Sequence, residues 1–110
     1  MTLAYINGQY LPLEEVKVSA MDRGFLFGDG VFTTVLVREG IPENLTRHME
    51  RLKRDCSALK ITFPLFDEYW VRHLIEANQA EKGTWRLKIL ISAGNSKVLR
   101  LHQREGQHVF

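Results

Sequence analysis

The sequence predicts an α+β domain, a mainly antiparallel sheet with two helices on one face. Three observations lead there. Short apolar and β-branched runs lie on either side of a helical middle section. An Asn-Gly dipeptide joins the first two of these runs, and Asn-Gly is the strongest short hairpin signal because both residues tolerate positive φ. Two segments of helical periodicity follow one another without a strand between them, which segregates helices to one side of a sheet.

Leu3-Ala4-Tyr5-Ile6 reads as a first strand, Asn7-Gly8 as the turn, and Gln9-Tyr10-Leu11 as the returning strand, ended by Pro12. Residues 13–20 are mixed and are read as irregular. From Asp22 to Gly30 the chain carries Gly24, Gly28 and Gly30, a density that implies tight turning or close backbone approach. Val31-Phe32-Thr33-Thr34-Val35-Leu36-Val37 is rich in β-branched residues and reads as a buried strand. Arg38-Glu39-Gly40 is a turn, and Ile41-Pro42 opens another extended piece.

Leu45 to Leu59 is the clearest helix, because Leu45, Met49, Leu52, Cys56 and Leu59 recur at spacings of 4, 3, 4 and 3 and form one apolar stripe. Cys56 on that stripe reads as a small buried hydrophobe rather than a reactive thiol. Phe63-Pro64 ends the segment. Asp67 is placed to cap a second helix with Trp70, Leu74 and Ala77 on one face, closed by Lys82-Gly83. Trp85 to Ile91 then reads as a strand, and Ala93-Gly94-Asn95-Ser96 as a loop. Lys97 to Phe110 shows little periodicity.

Composition sets the outer limits. The 110 residues are 45% hydrophobic and 25% charged, with a net charge of +2. That is ordinary for one globular domain, and the near balance of charge does not call for a nucleic-acid partner. No apolar run approaches the roughly 18 residues of a membrane helix. The start, Met1-Thr2-Leu3-Ala4, lacks a basic segment leading into an apolar core. The expectation is therefore a cytoplasmic protein with neither membrane nor nucleic acid as partner. Cys56 is the single cysteine, so neither an internal disulfide nor a Cys-x-x-Cys zinc site is available.

Few residues suggest chemistry. Arg51 flanks the apolar stripe, where its guanidinium either holds a phosphate or carboxylate through two hydrogen bonds or pairs with Asp55 in solvent. The Asp22–Gly30 turn either offers backbone donors to an anion or is structural; it does not match G-x-G-x-x-G. Arg47, Lys53 and Arg54 are interrupted by Glu50 and Asp55 and read as a solvated helix face. His48, His73, His102 and His108 show no metal-ligand spacing, and no metal is expected.

Two stretches together carry a resemblance. Asp22-Arg23-Gly24-Phe25-Leu26-Phe27-Gly28-Asp29-Gly30-Val31-Phe32 resembles a D-R-G-x-x-x-G-D-G-x-F signature, and His48-x-x-Arg51-Leu52 resembles an H-x-x-R-L helix motif. Both belong to the class IV aminotransferases, the fold type IV pyridoxal-phosphate (PLP) enzymes. Ile6-Asn7-Gly8 and Trp85 to Ser92 fit the same pattern. The resemblance implies that residues 1–94 are the small N-terminal domain of such an enzyme, with 95–110 as an interdomain-like tail. Gly28-Asp29-Gly30-Val31-Phe32-Thr33-Thr34 looks most like the 4-amino-4-deoxychorismate lyases, which form 4-aminobenzoate and pyruvate on the route to folate. Branched-chain and D-amino-acid aminotransferases of the same family are the alternative.

By that resemblance Arg51 matches the arginine that grips the PLP phosphate, and Phe32 and Thr33 match positions that line the substrate. The resemblance also implies that the Asp22–Gly30 loop lies near the interface of a homodimer. The chain departs from the family in one decisive way: the family's Schiff-base lysine lies in a larger C-terminal domain, and no lysine here matches it. Lys97 is not that lysine, and neither Arg100 nor Arg104 matches the arginine that binds a substrate carboxylate. The chain is therefore expected to be part of a longer enzyme and inactive alone. The competing expectation is a stand-alone domain that binds or dimerises without catalysis.

Overall fold

The computed structural model describes residues 2–94 and the backbone of His108–Val109. The first hairpin forms as its sequence predicts. Strands β1 (Leu3–Ile6) and β2 (Gln9–Pro12) pair antiparallel, with Ile6 opposite Gln9 across the two-residue turn. Asn7 and Gly8 take φ of 48° and 90°, the left-handed values that suit a two-residue hairpin between right-twisted strands. The following segment, expected to be irregular, contains a single 3-10 turn at Leu13–Glu15.

The glycine-rich stretch differs from the plain turn expected of it. A one-turn helix, α1 (Arg23–Phe27), forms between Asp22 and Gly28. The Asp22 carboxylate accepts the Phe25 N–H, and Gly28 closes the turn in left-handed geometry. Capping at both ends offsets the poor helix propensity of Gly24.

Strands β3 (Gly30–Arg38) and β5 (Thr84–Ser92) pair antiparallel along their whole length, from Gly30 opposite Ser92 to Arg38 opposite Thr84. Strand β4 (Ile41–Pro42) adds to the outer side of β3, and β6 (His108–Val109) adds to β5 at Ile91 and Ser92. The sheet order is β4-β3-β5-β6, separate from the β1–β2 hairpin. Of the tail at 95–110, only β6 is described. The expectations attached to Lys97, Arg100, His102 and Arg104 lie outside the described residues.

Both longer helices pack on one face of this sheet, as predicted. Helix α2 (Leu45–Ala58) buries Leu52 and Cys56 against Val31, Ile91 and Ala93. Helix α3 (Glu68–Ala77) buries Val71 and Ile75 against Val37 and Ala80. The Leu59 end of the predicted α2 stripe is 41% exposed, one residue past the helix. In α3, Asp67 caps as expected by accepting the Tyr69 N–H, but the buried face differs from the one read from spacing. Val71 and Ile75 point into the core, while Trp70 turns to the hairpin and stacks on Tyr5 with centroids 5.0 Å apart. Asn78, just past the helix, clasps the hairpin: Leu3 N donates to its Oδ1 at 2.7 Å, and its Nδ2 donates to Leu3 O at 2.9 Å. The helix thus ends at Ala77, and Lys82-Gly83 belongs to the turn into β5.

Along β3, Val31, Thr33, Val35 and Val37 face the helices and are buried, while Phe32 and Thr34 face away. On that opposite face α1 meets the sheet at Ser92, which pairs with Gly30 and bonds the Asp22 carboxylate. No described helix is long and apolar enough to cross a membrane.

Candidate functional site

The side chain that decides the site is Thr33. It lies on the helix face of β3, is 1% exposed, and is the only polar residue in the buried row Val31, Thr33, Val35, Val37. A hydroxyl buried in such a row must find partners, since leaving it unpaired costs about 1–3 kcal/mol. Helix α2 lies over β3 and supplies two. His48 and Arg51 are three residues apart, so one side of the helix carries both. The Arg51 Nη2 donates to Thr33 Oγ1. His48 Nδ1 lies 2.6 Å from the same oxygen.

These contacts bear on one of the two readings of Arg51 left open by spacing. Its guanidinium turns back to the sheet rather than pairing with Asp55. The residue itself stays exposed. A guanidinium has five N–H donors, and among the described residues Thr33 takes one, so four remain for an outside acceptor. A cation fixed at one corner and open at the others suits an anion with several oxygens, such as a phosphate.

Phe32 and Thr33, expected together along a substrate, lie on opposite faces because successive strand residues alternate. Phe32 is 60% exposed on the face away from α2 and α3, where Lys88 Nζ stands 5.1 Å from its ring centroid. Among the described residues β4 covers only Val37 and Arg38 of β3, so residues 30–35 have no strand neighbour on that side.

The glycine-rich turn is a second polar cluster and it faces inward. Asp22 is 2% exposed. Its Oδ1 accepts from Ser92 Oγ at 2.6 Å and its Oδ2 from Phe25 N at 3.1 Å. Arg23 N donates to Gly94 O at 2.6 Å, and Ala93 N to Asp29 O at 2.9 Å. The backbone donors of Leu26, Gly28, Asp29 and Gly30 all bond within the turn. They are not presented to a ligand, so the structural reading of this turn holds. Gly24 is required by close approach, because a Cβ there would lie 2.9 Å from Asp22 Oδ2 and 3.0 Å from Ser92 Cβ.

Other features hold less chemistry. A cavity of about 660 Å³ lies between the hairpin, α3 and β5; none of Thr33, His48 and Arg51 lines it, and among the described residues its walls contain no Asp, Glu, His or Cys. Arg47, Lys53 and Arg54 are exposed on α2. No group of three His, Cys, Asp or Glu side chains fit for a metal ion occurs among the described residues. Cys56 is fully buried, and that burial, with Asp55 nearby, pushes its thiol pKa up, away from the reactive thiolate. The part sequence reasoning missed is His48. Its three-residue spacing to Arg51 was visible, but its partner is Thr33, fifteen residues earlier on another element.

Comparison with known proteins gives a consistent answer. The sequence profile described as amino-transferase class IV matches residues 30–110. An aminodeoxychorismate lyase of Bacillus subtilis (strain 168) is 35% identical over 97 residues, covering 86% of this chain and 33% of that protein. A D-alanine aminotransferase of Staphylococcus haemolyticus is 34% identical over 86 residues, covering 76% of this chain and 30% of that protein. The fold matches a hypothetical aminotransferase from Mycobacterium tuberculosis, solved in a PLP-bound form, with a TM-score of 0.70 and 24% identity over 97% of this chain and 38% of that one. The chain thus spans about a third of the length of the curated relatives it matches. With the β3–α2 frame, the Asp22 turn and the Arg51 position all present, this chain belongs to the class IV amino-transferase family.

Proposed function

We propose that this chain is the small N-terminal domain of a PLP-dependent enzyme, and that Arg51 anchors the phosphate of the cofactor. The observation that carries this is the Arg51 guanidinium, held at one N–H by the buried Thr33 hydroxyl and open at the other four among the described residues. The residues fit the group on chemical grounds. A phosphate monoester carries close to two negative charges at neutral pH, and a planar guanidinium bonds it through two oxygens at once. When bound, the cofactor withdraws electrons from the carbon next to the substrate's amino group. This chain's own part is to hold and orient: Arg51 fixes the phosphate end, and Phe32 offers an exposed ring on the face away from α2 and α3 for a substrate to lie against. In this reading the Schiff-base lysine comes from a further, larger domain, so residues 1–94 have no catalytic residue of their own and are inactive alone. The enzyme works as a homodimer in the cytoplasm.

Within the family the lyase reading is preferred: aminodeoxychorismate is split into 4-aminobenzoate and pyruvate, for folate. It is supported by the residue run Gly28 to Thr34 and by the 35% identity to an aminodeoxychorismate lyase. The second reading, an aminotransferase acting on D- or branched-chain amino acids, is favoured by the nearly equal 34% identity to a D-alanine aminotransferase. The deciding experiment supplies the full-length protein with PLP and aminodeoxychorismate and no keto acid. Equal amounts of 4-aminobenzoate and pyruvate are expected. No pyruvate from aminodeoxychorismate, together with amino-group transfer from a D- or branched-chain amino acid in a second reaction to which a keto acid is added, would replace the lyase reading by the aminotransferase one.

A further inference from the structure

We infer that Thr33 is a positioning residue for phosphate binding: it orients Arg51, and His48 fixes the direction of its hydroxyl proton. The inference rests on the reading of Arg51 as the phosphate anchor and adds the two residues that aim it.

The argument is one of donors and acceptors. A guanidinium has no acceptor, so the Thr33 oxygen must accept from Arg51. The hydroxyl then has one proton left to place. At 1% exposure it has little access to water, and His48 Nδ1 is 2.6 Å away. Thr33 therefore donates to Nδ1, and His48 carries its ring proton on Nε2. Each polar atom of the trio has one role, and the roles run in a fixed order from Arg51 to Thr33 to His48. The residue type suits this. Threonine is β-branched, so its χ1 is restricted, and the strand that carries it is paired along its whole length with β5. Arg51, by contrast, ends a long exposed side chain with several free torsions. Tying one Nη to a hydroxyl on a rigid strand removes that freedom before any anion arrives, which is how preorganisation raises affinity. Burial on the helix face, opposite Phe32, also separates Thr33 from the face on which a substrate would meet Phe32.

The test uses the full-length protein and a ratio that folding defects do not move. Affinity is measured for PLP and for pyridoxal, which lacks the phosphate. Thr33→Val keeps the shape and removes both hydrogen bonds. It is expected to weaken PLP about tenfold and to leave pyridoxal unchanged, the size of losing one oriented hydrogen bond to a charged group. Thr33→Ser restores the hydroxyl and is expected to return PLP affinity to within about threefold of the parent, the remainder being lost χ1 restriction. His48→Leu removes only the proton acceptor and is expected to cost PLP about threefold with pyridoxal again unchanged. Adding Thr33→Val to Arg51→Ala is expected to cost PLP nothing further, since the two act as one unit.

Equal loss of PLP and pyridoxal in Thr33→Val would make Thr33 merely structural and overturn the inference. So would an unchanged cofactor affinity with a raised KM for the amino substrate, which would mark Thr33 as lining the substrate. If Arg51→Ala itself leaves the PLP-to-pyridoxal ratio unchanged, the phosphate-anchor reading fails first. If Arg51→Ala lowers the ratio and Thr33→Val does not, the positioning role alone fails.

Discussion

Two polar clusters sit against the same sheet and differ in one respect. The Asp22 cluster is closed. Its carboxylate takes Ser92 Oγ and Phe25 N, and Ser92 Oγ in turn takes Gly94 N at 3.2 Å. Arg23 bonds Asp29 through Nε at 3.0 Å and rests on the Phe27 ring, and its Nη1 is the one buried side-chain N or O atom among the described residues without a hydrogen-bond partner. The Thr33 cluster is open. It also has a buried oxygen at its centre, but it ends in a cation with, among the described residues, four donors to spare. A buried carboxylate whose oxygens are taken up by its own chain specifies structure; a polar contact buried at the root and charged at an exposed tip is built to bind. Substitutions at the first should therefore cost stability, and at the second affinity.

The largest effect is expected at Asp22. Asp22→Ala strands the Ser92 hydroxyl and removes the cap of α1, two losses that together cost about 3 kcal/mol of unfolding free energy. Urea unfolding of the full-length protein measures it. A cost below about 1 kcal/mol would break the contrast, because the closed cluster would then not be a structural one. Gly24→Ala tests the same place by steric means. Its new methyl meets Asp22 Oδ2 and Ser92 Cβ at 2.9 and 3.0 Å, and the expected cost is about 1–3 kcal/mol.

Arg51→Ala should show the reverse. Phosphate-bearing ligands are expected to bind about 10- to 100-fold more weakly, the loss of one or two hydrogen bonds between charged groups. Unfolding free energy should change by less than about 1 kcal/mol, since Arg51 is exposed and its root contact is one hydrogen bond. Isothermal titration with PLP, set beside the urea curve, separates the two. A stability loss as large as that of Asp22→Ala would remove the distinction between the clusters.

The sharper half of the contrast lies in what the sequence could convey. The hairpin was legible because Asn7-Gly8 encodes its own backbone angles, and α2 was legible because its stripe repeats with the helical period. The face of α3 was not. Trp70 and Leu74 recur at the same spacing as Val71 and Ile75, and only the hairpin, packing against Trp70 from the side, determines which pair goes inward. Helix α1 was masked by its glycines, whose poor propensity is overcome by capping at both ends. β3 read as buried because every residue from Val31 to Val37 is apolar or β-branched, yet Phe32 is 60% exposed. For the site, Arg51 was a candidate from its place beside the stripe, and the family motif favoured an anion. Its aim was beyond reach, because Thr33 stands eighteen residues away and the contact exists only once α2 lies across β3.

Cys56 gives the smallest effect and tests the premise beneath both clusters, that α2 and the sheet close on a dry core. The thiol is fully buried on α2, five residues past Arg51, and burial raises its pKa above that of the unfolded chain. The sign follows from proton binding. Above about pH 8.5 the unfolded chain gives up the thiol proton while the folded chain keeps it. Stability from this group is therefore intact below that pH and declines as pH climbs toward the higher folded value. Alkylation at pH 8 should be slow in the native protein and rise with urea along the unfolding curve. Cys56→Ser, which buries a hydroxyl in an apolar seat, should cost about 1 kcal/mol and leave PLP affinity unchanged. Rapid labelling of the native thiol would mean that α2 moves off the sheet. The Thr33–Arg51 contact would then be intermittent rather than preformed, and the open cluster would lose its advantage over any solvated arginine.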